Sequence, residues 1–258
     1  MAATQLSELD WSHWMSRWDS QQSGYVPERE ARFQAMFDVV AGLLPDAFVA
    51  LDLACGPGSL SRRLLERFPG ARAVAADMDP VMLALGRGAL GDHDGRLRWV
   101  EVDLASPNWM EAVGETQVDA VLSTTALHWL TAEQLFGVYR DLGRLVRPGG
   151  VFLNGDNMEF GPDVPAFREL ADRARSAQWT DEAFAARGME TSEQWWAALG
   201  AEPAMAPLLA ERTRRFAEKT RPDAPIFDVH VAALRDAGFR QVGTVWQALT
   251  DRVLLAVR

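Results

Sequence analysis

An apolar segment that runs into an aspartate and then a glycine turn, Phe48–Gly58, constrains the fold more than any other part of this sequence. It reads Phe-Val-Ala-Leu-Asp-Leu-Ala-Cys-Gly-Pro-Gly. A helical pattern follows over 59–68, and the next apolar segment ends in Asp77. This order predicts a βαβ unit, a fold element that binds a nucleoside-bearing cofactor at its first turn.

Two cofactors fit this unit, a nicotinamide dinucleotide and S-adenosylmethionine, because both carry a ribose that a carboxylate at Asp77 can bind. A dinucleotide turn requires a third glycine, and Ser61 occupies that position. Asp52 would also lie near two phosphates without a compensating cation, whereas it is favourable beside a sulfonium and an ammonium group. The turn therefore favours S-adenosylmethionine, and a dinucleotide-dependent oxidoreductase is the alternative.

Five segments in this order resemble the motifs of the class I S-adenosylmethionine-dependent methyltransferases. The resemblance spans roughly 25–156 and, more loosely, the whole chain, and it implies S-adenosyl-L-methionine as cofactor and S-adenosyl-L-homocysteine as product. Ala54 stands where the family commonly has glycine, and its methyl group is tolerable if φ is negative. The five segments are 51–58, 75–80, 101–104, 118–123 and 145–151.

Composition excludes several other classes of protein. The formal charge of −10 and the pI of about 4.9 oppose nucleic acid as a substrate, because phosphate binding requires a basic surface. The sequence has no apolar run of about 20 residues and no signal-peptide pattern, so we expect no membrane span. The lone cysteine, Cys55, cannot form an intrachain disulfide, and we expect a cytoplasmic protein.

Strand-like and helical patterns alternate up to residue 156, which predicts a parallel sheet with helices on both faces. Residues 157–223 show only helical patterns, and we interpret them as an inserted cap. We expect an α/β fold, a Rossmann-like doubly wound seven-stranded sheet with an antiparallel last strand. Its predicted segments are 1–44 (N-terminal helices at 5–19 and 27–43), 45–156 (S-adenosylmethionine-binding core), 157–224 (inserted helical cap) and 225–258 (last helix and two strands).

The resemblance implies a set of cofactor-binding residues at the carboxyl ends of the strands. Asp77 would accept the ribose hydroxyls, and Arg29, near Tyr25, would pair with the cofactor carboxylate unless it is a solvated helix arginine. Asp103 and Leu104 would contact the adenine edge. The full predicted set is Tyr25, Arg29, Asp52, Ala54, Gly56, Gly58, Asp77, Met78, Asp103, Leu104 and Ser123.

His128 is the candidate general base, because an imidazole can accept a proton from an attacking hydroxyl near neutral pH. The alternative is that His128 and Trp129 form a packed element after the fourth strand. No metal is predicted, since Ser123 ends that strand where a second carboxylate ligand would be needed. The candidate substrate-binding residues are Trp14, Trp18, Trp129, Asn154 and Asp156.

The sequence thus predicts an enzyme that transfers a methyl group to an oxygen, nitrogen or carbon atom of a small metabolite. The layout is similar to that of trans-aconitate-type and natural-product methyltransferases. Two alternatives remain at this point. One is the dinucleotide-dependent oxidoreductase, and the other is a fold relative that binds the cofactor without transferring its methyl group.

Overall fold

The computed structural model describes residues 9–26, 28–220, 222 and 225–258. These residues form one seven-stranded sheet with the strand order β3-β2-β1-β4-β5-β7-β6. Strand β7 is antiparallel to β5 and β6, and the pairs among the first five strands are parallel, which confirms the predicted fold class. The strands are β1 Val49–Leu53, β2 Arg72–Asp77, β3 Leu97–Glu101, β4 Val118–Thr124, β5 Val146–Asn157, β6 Gln241–Ala248 and β7 Asp251–Val257.

Capping side chains determine where several helices begin. The α-helices are α1 Trp11–Tyr25, α2 Arg29–Leu43, α3 Ser59–Arg67, α4 Pro80–Leu90, α5 Trp109–Val113, α6 Ala132–Leu145, α7 Pro165–Gln178, α8 Asp181–Ala186, α9 Ser192–Gly200, α10 Ala206–Phe216 and α11 Phe227–Asp236. Asp10 caps α1 and Asp79 caps α4, each through a carboxylate oxygen that accepts backbone N–H groups. In the sequence, Thr131–Gln134 and Thr191–Gln194 predict capping boxes, and both are present, at the starts of α6 and α9.

Two apolar layers cover the sheet, because its central strands carry apolar side chains on both faces. On one face Leu51 packs with residues of α5, α6 and α11, including Tyr139. On the other face Leu153 packs with residues of α2, α3 and α4, including Phe33. The strands are therefore fixed between helices. The strand order reverses between β1 and β4, and open α/β sheets bind ligands beyond the carboxyl ends of such strands.

Helix α1 and the segment between β5 and α11 pack together against α4. Trp14 of α1, Leu85 of α4 and Trp195 of α9 belong to one buried cluster. Four helices, α7 to α10, lie between β5 and α11, and the described residues of this segment contain no strand. Among the helices of the described residues, none is both long and apolar enough to cross a membrane.

Three element boundaries differ from the predictions. Helix α1 runs to Tyr25, six residues past its predicted end, and the predicted start at residues 5–8 lies outside the described residues, as does Pro27. The sequence pattern predicts strands over 151–155 and 239–249. Strand β5 begins at Val146 instead, because Val146 pairs with Val118 before the register shifts. Strand β6 begins at Gln241 instead, and Phe239 is a buried core residue before it.

Candidate functional site

The turn after β1 has a left-handed backbone at three positions, with φ of +57° at Ala54, +54° at Gly56 and +81° at Gly58. The negative φ considered for Ala54 is therefore wrong. An alanine in this conformation costs about 1–2 kcal/mol, because its Cβ comes too close to the following carbonyl oxygen. A Cβ at Gly56 would meet no atom of the described residues within 4 Å, so this part of the turn is open to a ligand.

Gly58 is required by packing as well as by its backbone conformation. A Cβ at Gly58 would lie 2.6 Å from Cη2 of Trp99, and a Cβ at Gly86 would also collide with this ring. The indole N–H of Trp99 donates to the carbonyl of Gly91 at 2.7 Å, which fixes the ring over both glycines. Sequence reasoning missed Trp99, although two glycines facing one another across a βαβ unit indicate a bulky side chain between them.

Asp52 lies beneath the turn and is 3% exposed. Its Oδ2 accepts hydrogen bonds from the backbone N–H of Ser61 at 3.0 Å and from the Ser61 hydroxyl at 2.7 Å. Its Oδ1 has no hydrogen-bond partner among the described residues. Burial raises the pKa of Asp52 to about 7, and the two bonds from Ser61 oppose that rise. The buried, half-paired carboxylate would therefore be stabilised by a cationic ligand.

Asp77, at the end of β2, connects the turn to the start of α4. Its Oδ2 accepts from the Gly56 N–H at 2.7 Å, and its Oδ1 accepts from the Asp79 N–H at 2.8 Å. Burial raises the pKa of Asp77 to about 6. The carboxylate thus lies directly beside Gly56, where it could accept hydroxyl groups of a ligand.

The remaining residues predicted to contact adenine lie at the ends of β2 and β3. Met78 is half-buried, and its carbonyl accepts from Arg215 at 2.9 Å. Asp103 accepts from the Ala105 N–H at 2.9 Å and pairs with Lys219 at 2.8 Å, and its contact with the adenine edge stays a prediction. Leu104 packs against the core cluster.

Tyr25 and Arg29 have hydrogen-bond partners within the protein, and their contact with the cofactor stays a prediction. The Tyr25 hydroxyl accepts from the Ser192 N–H at 2.9 Å, so this residue joins α1 to α9. Arg29 is 7% exposed and donates to Asp19 at 3.0 Å, so it is not a solvated helix arginine either. Asp19 also accepts from the Ser59 hydroxyl at 2.6 Å.

Ser123 and Asn154 are fully buried beneath protein atoms, and their predicted contacts with cofactor and substrate stay predictions. The Ser123 hydroxyl donates to the Leu53 carbonyl at 2.8 Å and so links the ends of β1 and β4. The amide nitrogen and oxygen of Asn154 have no hydrogen-bond partner among the described residues. The hydroxyl of Tyr139 lies 2.7 Å from Nδ1 of His230, so α6 and α11 share a buried polar contact.

His128 and Asp156 form a buried pair at the ends of β4 and β5. The His128 Nδ1 lies 2.7 Å from Asp156 Oδ1, and the His128 backbone N–H donates to Asp156 Oδ2 at 3.2 Å. Asp156 also accepts from the Asn157 N–H at 2.8 Å, and its contact with substrate stays a prediction. Burial opposes its ionisation, but His128, the Asn157 N–H and Arg32 together hold the pKa of Asp156 below its usual value.

An ionised Asp156 accepts a hydrogen bond, and this fixes the proton of a neutral His128 on Nδ1. The Nε2 atom of His128 is then an acceptor. This arrangement can take a proton from a ligand at the ends of β4 and β5. His128 can be both a packed residue and a base. Asp156 holds the ring through Nδ1, and Nε2 can still accept a proton.

The tryptophans predicted to bind substrate have different surroundings. Trp14 is 5% exposed and its ring lies 5.9 Å from that of Trp195, so it is a core residue rather than a pocket residue. Trp18 also packs against Trp195, with ring centroids 5.1 Å apart. Trp129 is 55% exposed, and its ring lies 5.7 Å from His128, so it remains a candidate for substrate contact.

Arg32 is a buried residue that sequence reasoning missed. Its side chain is fully buried, and its Nη2 donates to the hydroxyls of Thr124 at 3.0 Å and Thr125 at 2.8 Å. The available signal was an arginine four residues before Met36, on the apolar face of a predicted helix. A charge at such a position predicts either a buried ion pair or a ligand.

Comparisons with known proteins agree on the type of domain. Residues 50–150 match the model of a family described as "Methyltransferase domain". The trans-aconitate 2-methyltransferase of Azoarcus sp. (strain BH72) is 32% identical over 197 residues, which are 76% of this chain and 65% of the relative. The protein of the same name from Streptomyces avermitilis is 30% identical over 175 residues, which are 64% of this chain and 59% of the relative.

The fold agrees as well. An O-methyltransferase family protein from Burkholderia thailandensis has a TM-score of 0.55 and 22% sequence identity, and the match covers 93% of this chain and 63% of that chain. The chain spans less than two thirds of the length of the two curated relatives above.

Proposed function

We propose that this chain is a class I S-adenosylmethionine-dependent methyltransferase that transfers a methyl group from S-adenosylmethionine to an oxygen atom of a small-molecule acceptor. The observation that carries this proposal is the position of the His128–Asp156 pair. His128 follows β4 and Asp156 lies at the end of β5, and β4 is the neighbour of β1, whose turn is the proposed cofactor site.

The residues present fit the cofactor. The Oδ1 of Asp52 is buried and lacks a partner in the described part of the chain, and a carboxylate in that state suits the positive charge of a sulfonium or ammonium group. Gly56 offers open backbone and Asp77 offers carboxylate oxygens beside it, as the ribose requires. Ser61, which replaces the third glycine of a dinucleotide turn, is held by Asp52, so this turn is built around a carboxylate rather than around a pyrophosphate.

The protein's contribution to the reaction is binding, orientation and removal of one proton. S-adenosylmethionine supplies a methyl group on a sulfonium, which leaves as a neutral thioether as the methyl–oxygen bond forms. Asp156 orients His128, and Nε2 of His128 takes the proton that the acceptor hydroxyl loses. Trp129, exposed beside His128, would cover one side of the acceptor.

The acceptor is a small metabolite rather than a macromolecule in this proposal. Two relatives are named for trans-aconitate, a small polycarboxylate. The chain has a formal charge of −10, which opposes nucleic acid as the acceptor. We place the protein in the cytoplasm on the basis of its single buried cysteine, Cys55.

Two measurements test the proposal in order. Calorimetric titration with S-adenosylhomocysteine and with NADH separates the two cofactors, and we expect heat only from the first. Incubation with S-adenosylmethionine and a panel of small hydroxyl compounds and acids should then yield a product heavier than its acceptor by one methylene unit. Binding without any such product would instead support a fold relative that does not transfer the methyl group.

The His128→Ala variant tests the proposed base, with His13→Ala as the matched control because His13 is an exposed histidine of α1. We expect His128→Ala to lower kcat on a hydroxyl acceptor by about 10²–10⁴-fold and to leave the affinity for S-adenosylhomocysteine within about twofold. Wild-type turnover by His128→Ala would remove the base from the proposal.

A further inference from the structure

Arg32 has more hydrogen-bond donors than the structure satisfies. The guanidinium is fully buried, and only Nη2 has acceptors, the hydroxyls of Thr124 and Thr125. Both Nε and Nη1 lack a hydrogen-bond partner among residues 9–26, 28–220, 222 and 225–258. An arginine has five N–H donors and cannot lose its charge, so three of them stay unpaired here. Such a group is costly unless a ligand completes it.

The neighbouring acids compensate this charge only in part. The Oδ1 of Asp251 lies 3.8 Å from Nη1, within reach of an ion pair but longer than a hydrogen bond. Burial raises the pKa of Asp251, and Arg32 and Arg175 act in the opposite direction. Asp156 also faces Arg32, but His128 already holds its carboxylate, and Arg29 adds repulsion.

The backbone beside Arg32 is strained. Thr125 has a φ of +56°, and a β-branched residue in this region is a genuine outlier. Its N–H donates to the Gly155 carbonyl at 2.9 Å, and its hydroxyl accepts from Arg32, so the surroundings maintain the strained conformation. Strain of this kind clusters at ligand sites. Both threonine hydroxyls bind Nη2, so Nε and Nη1 of Arg32 can donate to a second acceptor.

We propose that Arg32 binds a carboxylate of the methyl acceptor, so that the acceptors of this protein are carboxylic acids. This inference rests on the proposed function and names its substrate class. Arg32 contacts the end of β4, and His128 follows the same strand, so one small molecule can present a carboxylate to the first residue and the reacting group to the second. A guanidinium suits this role because its charge is permanent and its donors are planar.

The first arm of the test measures stability without a ligand. If a ligand normally binds the unpaired donors of Arg32, the ligand-free protein should tolerate an apolar residue there. Arg32→Met should then unfold at the same temperature as the wild type or up to about 4 °C higher, because it removes a buried charge that the protein compensates only in part. Arg29→Met is the matched control, because Arg29 is also buried on α2 but is paired with Asp19 at 3.0 Å. It should unfold about 4 °C lower or more. Equal losses in both variants would make Arg32 a structural residue and overturn the proposal.

The second arm compares acids with their neutral counterparts in the presence of S-adenosylhomocysteine. The probes are trans-aconitate against its trimethyl ester, and salicylate against salicylamide, measured by thermal shift and, with S-adenosylmethionine, by turnover. We expect the wild type to prefer at least one acid over its neutral counterpart by about tenfold or more. That preference should vanish in Arg32→Met and partly return in Arg32→Lys, which retains the charge. Equal response to acids and neutral compounds overturns the proposal.

The cofactor also carries a carboxylate, so calorimetry with S-adenosylhomocysteine distinguishes the two sources. We expect Arg32→Met to bind it within about twofold of the wild type. A tenfold loss with unchanged acid preference would assign Arg32 to the cofactor and overturn the acceptor assignment. Methyl transfer by the wild type to neutral compounds alone would refute this inference while the proposed function stands.

Discussion

The Nδ1 atom of His128 lies 2.7 Å from the Oδ1 atom of Asp156, although the two residues are 28 positions apart in the sequence. Strands β4 and β5 are parallel neighbours, and Thr124 pairs with Gly155, so the residues that follow each strand meet at the same edge of the sheet. The pair is therefore a consequence of topology, and the buried carboxylate of Asp156 controls which nitrogen of His128 can accept a proton.

We predict that Asp156→Asn lowers kcat on a hydroxyl acceptor by about 10²-fold or more, because an amide can donate to Nδ1 and so favour the wrong tautomer. Steady-state kinetics over a range of pH check this, and the change should fall on kcat more than on KM. The double variant His128→Ala, Asp156→Asn should be no slower than His128→Ala alone, since both residues act as one unit. Additive losses would show that Asp156 acts independently of His128.

A second prediction concerns the pH dependence of cofactor binding. Burial raises the pKa of Asp52 to about 7 from an ordinary 3.8, so below pH 7 the free protein holds a proton that a bound cation must displace. Affinity for S-adenosylhomocysteine, through its ammonium group, should therefore rise on the order of tenfold between pH 5.5 and 7.5 and then level off. Calorimetry in two buffers of different ionisation enthalpy measures the proton released.

Asp52→Asn is the variant that tests this assignment, because it cannot titrate. Its affinity should be lower at pH 7.5 and should vary less with pH, the residual variation coming from Asp77, whose pKa burial raises to about 6. A pH dependence identical to that of the wild type would show that Asp52 does not face the cofactor's charge.

The sequence predicted the sheet, the glycine turn and the capping boxes because each depends on residues close together in the chain. It also placed His128 and Asp156 at strand ends. It did not predict that Asp156 holds His128, that Asp19 holds Arg29 or that Lys219 holds Asp103, since these ion pairs join segments that are distant in sequence. Charged side chains at strand ends look alike in sequence, whether a ligand or another side chain occupies them.

Ala54 offers a test of backbone strain in the cofactor turn. Its φ of +57° is costly for alanine and free for glycine, and the entropy that glycine loses on folding offsets part of the gain. We predict that Ala54→Gly raises the free energy of unfolding by about 0.5–1 kcal/mol, measured by urea denaturation. Ala50→Gly is the control, because Ala50 lies in β1 with an ordinary backbone, and it should lower stability by about 1 kcal/mol. Loss of stability in both variants would contradict the strain at Ala54.

Basic side chains at the end of the inserted segment pair with acidic side chains near the ends of β2 and β3. Arg212 and Arg215 of α10 and Lys219 beyond it lie at helical spacing, which brings their charges to one side. Their partners are Asp79 at 2.6 Å, Glu101 at 2.7 Å and Asp103 at 2.8 Å. Arg212 also lies over the rings of Trp196 at 4.0 Å and of Phe216 at 4.7 Å, so it is the contact that combines charge with packing.

We predict that Arg212→Ala loosens α10 without unfolding the sheet, because it leaves the buried Oδ2 of Asp79 unpaired and removes the stacking on Trp196. A loss of about 2 kcal/mol corresponds to roughly 30-fold faster amide hydrogen exchange in α10, with exchange in β1 and β4 unchanged. Arg214→Ala is the matched control, since Arg214 is exposed and its one ion pair among the described residues is with Glu211 on its own helix. It should change exchange by less than about threefold. Equal protection of α10 in both variants would show that the Asp79–Arg212 pair does not hold this helix against the core.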